Sequence, residues 1–207
     1  MPYFLNENIN LLFIHIPKTG GSSLERYFSE HFNITLNNDS LFDINSKFKE
    51  IKIHTTLQHM TYNDIIKNND YFKIKKKGLK ILSVVRNPYK RIVSDMFFHK
   101  KIQKDSSKEF VNSILMDFIN KNYDNHTQPQ YLFITDHNKK LIPGIQILHT
   151  ETLKTDMFNI GYKDFNIFVN CNTNKVNYMN YLNEKSIHMI NEYYDYDFKL
   201  FGYDKIT

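Results

Sequence analysis

The stretch Ile14-His15-Ile16-Pro17-Lys18-Thr19-Gly20-Gly21-Ser22-Ser23-Leu24 decides how this chain of 207 residues is read. Asn10 to Ile16 is a short apolar run with the character of a buried strand, and Pro17 to Gly21 breaks it. Ser22 to Phe32 then takes helical spacing, with Leu24, Tyr27 and Phe28 on one face. A strand that enters a glycine-bearing turn and passes straight into a helix is suited to hold an anion. The N–H groups at the helix start and the helix dipole both favour negative charge there. Gly20 and Gly21 allow close backbone approach and positive φ. Lys18 adds a mobile positive charge, and Thr19, Ser22 and Ser23 add hydroxyl donors. This is not the nucleotide-hydrolase loop, which closes on Gly-Lys-Ser/Thr, because Lys18 precedes the glycines. An ordinary strand-to-helix turn would explain the Gly and Ser residues but not Pro-Lys-Thr.

A second constellation follows at Val84-Val85-Arg86-Asn87-Pro88-Tyr89-Lys90-Arg91-Ile92-Val93-Ser94. Gly78 to Val85 is the clearest strand in the chain, and a helix is expected from Pro88 to about Lys101. Arg86 stands where the strand ends, the usual ligand edge of an α/β sheet, and can grip a phosphate with two parallel hydrogen bonds. Ser94, about two helical turns on, can face the same ligand, while Lys90 and Arg91 read as surface residues. Two anion sites on neighbouring strand ends suit a nucleotide with two separate phosphate groups.

The remaining elements extend an α/β pattern. A strand is expected at Lys49 to His54. Thr61-Tyr62-Asn63-Asp64 has the form of a capping box opening a helix to about Lys67. Ser107 to Asn120 reads as a helix with Phe110, Ile114, Leu115 and Phe118 on one stripe. Strands are expected at Gly144 to His149 and Asn166 to Asn170, and a last helix at Asn183 to Tyr194. With no repeat and no long linker, residues 1–207 read as a single domain: a central, mainly parallel sheet flanked by helices.

Composition narrows the function classes. A hydrophobic fraction of 41% supports a globular core, and a formal net charge of +5 favours anionic ligands without choosing among them. Cys171 is the single cysteine, which excludes an intramolecular disulfide and a cysteine metal cluster. Met1 to Ile9 has no secretory pattern, and Leu11 to Ile16 is far short of the roughly 20 residues of a membrane span. A cytoplasmic protein is therefore expected.

Taken together, the two constellations resemble the sulfotransferases that use 3′-phosphoadenosine 5′-phosphosulfate, particularly the carbohydrate branch. Three further segments are similar to that family. They are His126-Thr127-Gln128-Pro129-Gln130, Glu151-Thr152-Leu153, and Asp197-Phe198-Lys199-Leu200-Phe201-Gly202-Tyr203. The resemblance implies a sulfotransferase form of the phosphate-loop nucleotide-binding fold. It implies that Lys18, Thr19, Gly20, Gly21, Ser22 and Ser23 hold the 5′-phosphosulfate, and that Arg86 and Ser94 hold the 3′-phosphate. Asn33 to Glu50 matches nothing in the family. Golgi-type members carry an N-terminal anchor that is not visible here, so localisation and acceptor stay open.

Sulfuryl transfer to a hydroxyl needs a base for the acceptor proton and a cation for the leaving phosphate, with positioning and electrostatics carrying most of the catalysis. Lys18 suits the cation. Gln58-His59-Met60-Thr61 resembles the family segment in which a histidine before a helix is the base, so His59 is the expected base and His54 the fallback. His15 reads as a packed core histidine, and His126 as a weaker contact to acceptor or nucleotide. No metal is required, and no metal-ligand spacing stands out among the nine histidines. Lys73, Lys75, Lys76, Lys77 and Lys80 read as a solvated face, or else as a patch recruiting a polyanionic glycan. A carbohydrate acceptor is expected, with no nucleic-acid partner. The competing readings are a small-molecule or nucleotide kinase and a non-catalytic nucleotide-binding homologue.

Overall fold

The computed structural model describes residues 1–37, 41–42, 55–169 and 177–207. Four strands among them form one sheet in the order β1 (Tyr3–Leu5), β2 (Asn10–Ile14), β3 (Lys80–Val85) and β4 (Ile145–His149). β2, β3 and β4 run parallel, with Leu12 opposite Ile81 and Ser83 opposite Ile147, and β1 pairs antiparallel at the edge. The helices are α1 (Gly21–Phe32), α2 (Tyr62–Lys67), α3 (Asn69–Phe72), α4 (Pro88–Phe98), α5 (Lys108–Lys121), α6 (Tyr131–Ile134), α7 (Leu153–Asn159), α8 (Glu184–Tyr193) and α9 (Asp195–Phe201). This is the α/β class that the sequence predicted.

The two-residue period of the strands explains the layering. Leu11 and Phe13 of β2, with Leu82 and Val84 of β3, point to one face and pack against Leu24 and Phe28 of α1 and Met157 of α7. Leu12, Ile14, Ile81 and Val85 point the other way, onto Leu57, Ile65, Phe133, Ile134 and Phe201. Covered on both faces, β3 is buried at every position after Lys80, as a central parallel strand should be. A third cluster holds α4, α5, α8 and α9 together through Met96, Leu115, Ile190, Phe198 and their neighbours.

Local signals set several element ends. Thr61 accepts from the Asp64 N–H while Asp64 Oδ2 accepts from the Thr61 N–H, and the predicted capping box opens α2 at Tyr62. Asn87 caps α4 through the N–H groups of Tyr89 and Lys90, with Pro88 in the first turn. α4 stops at Phe98 rather than Lys101, because Lys100 takes φ 54 and the Lys101 N–H turns back to Met96 O.

The apolar stripe of α5 is rotated from the expected one. Val111, Leu115, Phe118 and Ile119 are buried, Ile114 is at the margin, and Phe110 is 47% exposed. The face is set by the packing of α8 and α9, which spacing within one helix does not encode. The strand expected at Asn166 to Asn170 is not formed over residues 166–169. There Phe165 and Ile167 pack on the α1 layer, and the Val169 N–H bonds the Ser23 hydroxyl instead of a strand. Asn170, Cys171, the strand expected at Lys49 to His54, and His54 itself lie outside the described residues.

Candidate active site

The carboxyl ends of β2, β3 and β4 meet on one edge of the sheet, and hydrogen bonds tie them together. Arg86 Nη1, just past β3, donates to Lys18 O at 3.0 Å. The Thr150 hydroxyl, just past β4, reaches Thr19 O at 2.5 Å and Val85 O at 3.0 Å. Glu151 accepts from the Asn87 N–H at 3.1 Å and from the Tyr203 hydroxyl at 3.0 Å. Gln130 brackets Arg86, accepting from its N–H and donating to its carbonyl, both at 2.8 Å. Gln130 is fixed in turn by Asp197, whose burial pushes its carboxyl up to about 6. The segments at His126, Glu151 and Asp197 thus brace the loop and Arg86.

The loop itself has the form of an anion cradle. Gly20 takes φ 94 at the start of α1, and that helix end has no side-chain cap. Gly21 is required by its neighbour, since a Cβ there would overlap the His15 ring. Lys18 is held at φ 66, a costly conformation for a residue with a side chain. Its Nζ sits 4.1 Å above the Phe98 ring, and burial lowers its pKa against the opposing pull of Asp95. Two expected hydroxyl donors are engaged within the protein. Thr19 is buried and donates to Ile16 O at 2.8 Å, and Ser23 bonds the Val169 backbone. These two positions therefore offer an anion their backbone, while Ser22 keeps a half-buried hydroxyl at the helix start.

Beside the loop runs a row of histidines in edge-to-face contact. Ring centroids are 5.1 Å apart for His15 and His59, 5.0 Å for His59 and His126, and 4.8 Å for His126 and His99. Three of them face a carboxylate oxygen through Nδ1: His15 with Glu25 at 2.7 Å, His59 with Asp124 at 2.6 Å, and His126 with Asp95 at 2.6 Å. Phe98 stacks on His126, so Lys18 joins the row through that ring. His15 is the buried histidine that the sequence suggested, held by a Glu25 that also accepts from Gln58 at 2.6 Å.

His59 is the most firmly oriented of the four. Asp124 accepts from the Thr55 hydroxyl and the Thr56 N–H, both at 2.5 Å, as well as facing His59. Asp124 sits at φ 50 between Asn122 and Asn125, also at positive φ, so the backbone is bent to aim this carboxylate. With Nδ1 toward Asp124, the ring proton belongs on Nδ1 and the lone pair on Nε2. Burial lowers the His59 pKa to about 4, outweighing the hydrogen bond and charge of Asp124, and keeps the imidazole neutral at ordinary pH. Burial alone would raise the Asp124 pKa, but its bonds to His59, Thr55 and Thr56 bring it well below the usual carboxylate range.

A family model described as the sulfotransferase family matches residues 1–204. The chain belongs to the sulfotransferase family. Searches of curated proteins and of solved structures each returned no match. The match spans both constellations and the braces around them, and membership makes the chain a transferase of sulfuryl groups.

Arg91 is the residue of this sulfotransferase that sequence reasoning misplaced. It is 2% exposed, not a surface cation, and donates to Pro17 O at 3.0 Å, Gln128 O at 2.9 Å and His126 O at 2.7 Å. One side chain thereby anchors the start of the loop at Pro17 to the His126 segment. Its neighbour Lys90, read the same way, keeps a side chain that is 39% exposed, and only the helical phase of α4 separates the two. Ser94 lies one turn beyond Arg91 on α4 and is half-buried. Arg91→Ala should cost about 3 kcal/mol, because it leaves buried carbonyls without charged donors. For a chain of this size that lowers Tm by about 6–12 °C in a thermal melt. A loss below about 0.5 kcal/mol, as for a surface residue, would contradict the anchoring role.

The basic run occupies the opposite edge of the sheet. Lys80 starts β3, and Lys73, Lys75, Lys76 and Lys77 are exposed before it, whereas Lys18 and Arg86 are at the strand ends. That placement favours the solvated-face reading over glycan recruitment. No helix among the described residues is long and apolar enough to cross a membrane.

Proposed function

We propose that this sulfotransferase, acting as one domain over residues 1–207, transfers the sulfuryl group of 3′-phosphoadenosine 5′-phosphosulfate to a hydroxyl on a carbohydrate. The observation that carries the reading is the pairing of two cations with an open helix start. Lys18 and Arg86 stand on neighbouring strand ends, linked at 3.0 Å, beside an α1 N-terminus that lacks a side-chain cap. Those groups fit a nucleotide with two phosphate groups, which supplies the transferable sulfuryl. In the proposal, the N–H groups from Thr19 to Ser23 and the Ser22 hydroxyl bind the 5′ end, while Arg86 and Ser94 bind the 3′-phosphate.

The chemistry then rests on two side chains. His59 Nε2 takes the acceptor hydroxyl proton during in-line attack, and Asp124 stabilises the imidazolium that results. Lys18 places its ammonium where negative charge grows on the departing phosphate, and partial burial strengthens that interaction. Phe98, 57% exposed, stands beside Lys18 at the open side of the site, where an acceptor would approach.

The reading is tested by incubating the protein with 3′-phosphoadenosine 5′-phosphosulfate and a panel of oligosaccharides, measuring release of adenosine 3′,5′-bisphosphate. Release that depends on a sugar hydroxyl supports it. Acceptor-dependent consumption of ATP in place of the sulfated nucleotide would overturn it in favour of a kinase. Arg86→Ala separates the two phosphate sites. Loss of a charge-assisted contact should weaken adenosine 3′,5′-bisphosphate by about 10–100-fold, with a much smaller effect on adenosine 5′-phosphate. Equal losses for both nucleotides, measured by calorimetry, would contradict the assignment of Arg86 to the 3′ end.

A further inference from the structure

Asp95, His99 and His126 bring three ligand atoms together at the outer end of the histidine row. Asp95 lies on α4, His99 follows one turn later at the end of that helix, and His126 approaches from the segment anchored by Arg91. His126 Nδ1 lies 2.6 Å from Asp95 Oδ1, while His99 Nε2 lies 3.4 Å from His126 Nδ1 and 3.7 Å from Asp95 Oδ1. Three possible ligand atoms, two imidazole nitrogens and a carboxylate oxygen, thus converge on one point. Only the His126–Asp95 pair is at ordinary hydrogen-bond distance, and His99 Nε2 stands outside it.

A second observation points the same way. Asp95 is 1% exposed, and its other oxygen, Oδ2, is buried with no hydrogen-bond partner among the described residues. A buried carboxylate oxygen without a donor is costly, and a cation removes the cost. The spacings suit a small ion. Ligands about 2.0–2.2 Å from a tetrahedral zinc lie about 3.3–3.6 Å from each other, so only the 2.6 Å contact has to lengthen.

We propose that Asp95, His99 and His126 form a binding site for a divalent transition-metal ion, with zinc the ion that two imidazoles and one carboxylate fit best. His99, 27% exposed at its side chain, provides the entry path, and a fourth position is left for water. A neighbouring trio, His59, Asp124 and His126, also offers ligand atoms within 4.8 Å of one another. There, however, Asp124 is already satisfied by Thr55, Thr56 and His59. The separation of residues 95 and 99 from residue 126 hid the site from spacing arguments, although Asp95 and His99 do stand at i and i+4. An ion bound here fastens α4 to the His126 segment and sets a second positive charge beside Lys18, whose charge already feels Asp95.

The test is titration of the full chain with Co²⁺, followed by displacement with Zn²⁺ and calorimetry with Zn²⁺ alone. The expected result is one site per chain, with the visible d–d absorption of low-coordinate Co²⁺ that Zn²⁺ abolishes. His99→Ala should remove the band and weaken zinc by at least about 10-fold, the loss that removing even an outer partner of a ligand causes. It should leave the Tm of the metal-free protein unchanged. Asp124→Asn should keep the band. Absence of a band, weak binding at several sites that survives His99→Ala, or loss confined to Asp124→Asn would each overturn the assignment.

Discussion

His59→Ala is expected to lower kcat for sulfuryl transfer by about 10²–10⁴-fold while the fold survives, the range that a positioned general base supplies. In the proposed mechanism, removing the imidazole leaves the acceptor proton with no group aimed at it. The same construction gives the pH behaviour. Because the folded-state pKa of His59 is lowered to about 4, the ring is neutral and able to accept a proton at every pH well above that value. Side-chain NMR of the free protein should show His59 titrating near 4 instead of 6.5. Asp124→Asn removes the hydrogen bond and charge that raise the value, so the titration should move lower still. It should also depress kcat, since a neutral amide at that position no longer stabilises the imidazolium. An unshifted titration near 6.5 would show that His59 is solvated and not held in the buried row.

Lys18→Ala is expected to lower kcat by about 10²–10³-fold, the cost of removing one preorganised group that stabilises transition-state charge. The loss should fall mainly on kcat, with a smaller effect on donor affinity, because in the proposed site the helix start and Arg86 still hold the donor. A rise in KM for the donor at unchanged kcat would show Lys18 to be a binding residue only. Lys18 Nζ is poised over the Phe98 ring and makes no ion pair among the described residues, feeling Asp95 only at longer range, so thermal stability should change little on its removal. Steady-state kinetics with both substrates varied separates these outcomes.

The parts of the fold that sequence made legible are those that local chemistry dictates. The β2–loop–α1 unit is written in an apolar run, two glycines and a helical stripe, and α2 is announced by its capping box. β1 was not visible because three residues, Tyr3–Leu5, carry too little pattern, and their pairing with β2 supplies what sequence lacks. The burying face of α5 was read one position off because α8 and α9 choose it.

The site divides in the same manner. Lys18, Gly20, Arg86 and His59 stand in recognisable local segments. Asp124 is 65 residues from His59 in the chain, and Arg91 is 74 residues from the Pro17 carbonyl it holds, so their roles exist only in the folded chain. Even among the recognised residues, spacing could not show that Thr19 and Ser23 turn their hydroxyls onto the protein itself.

The most direct test of the central claim, a site built for a doubly phosphorylated adenosine, is calorimetry of the full chain with adenosine 3′,5′-bisphosphate and, in parallel, with ATP-Mg. Lys18, the open start of α1 and Arg86 call for one-site binding of the bisphosphate and far weaker binding of ATP-Mg. A preference for ATP-Mg, or binding of neither, would contradict it.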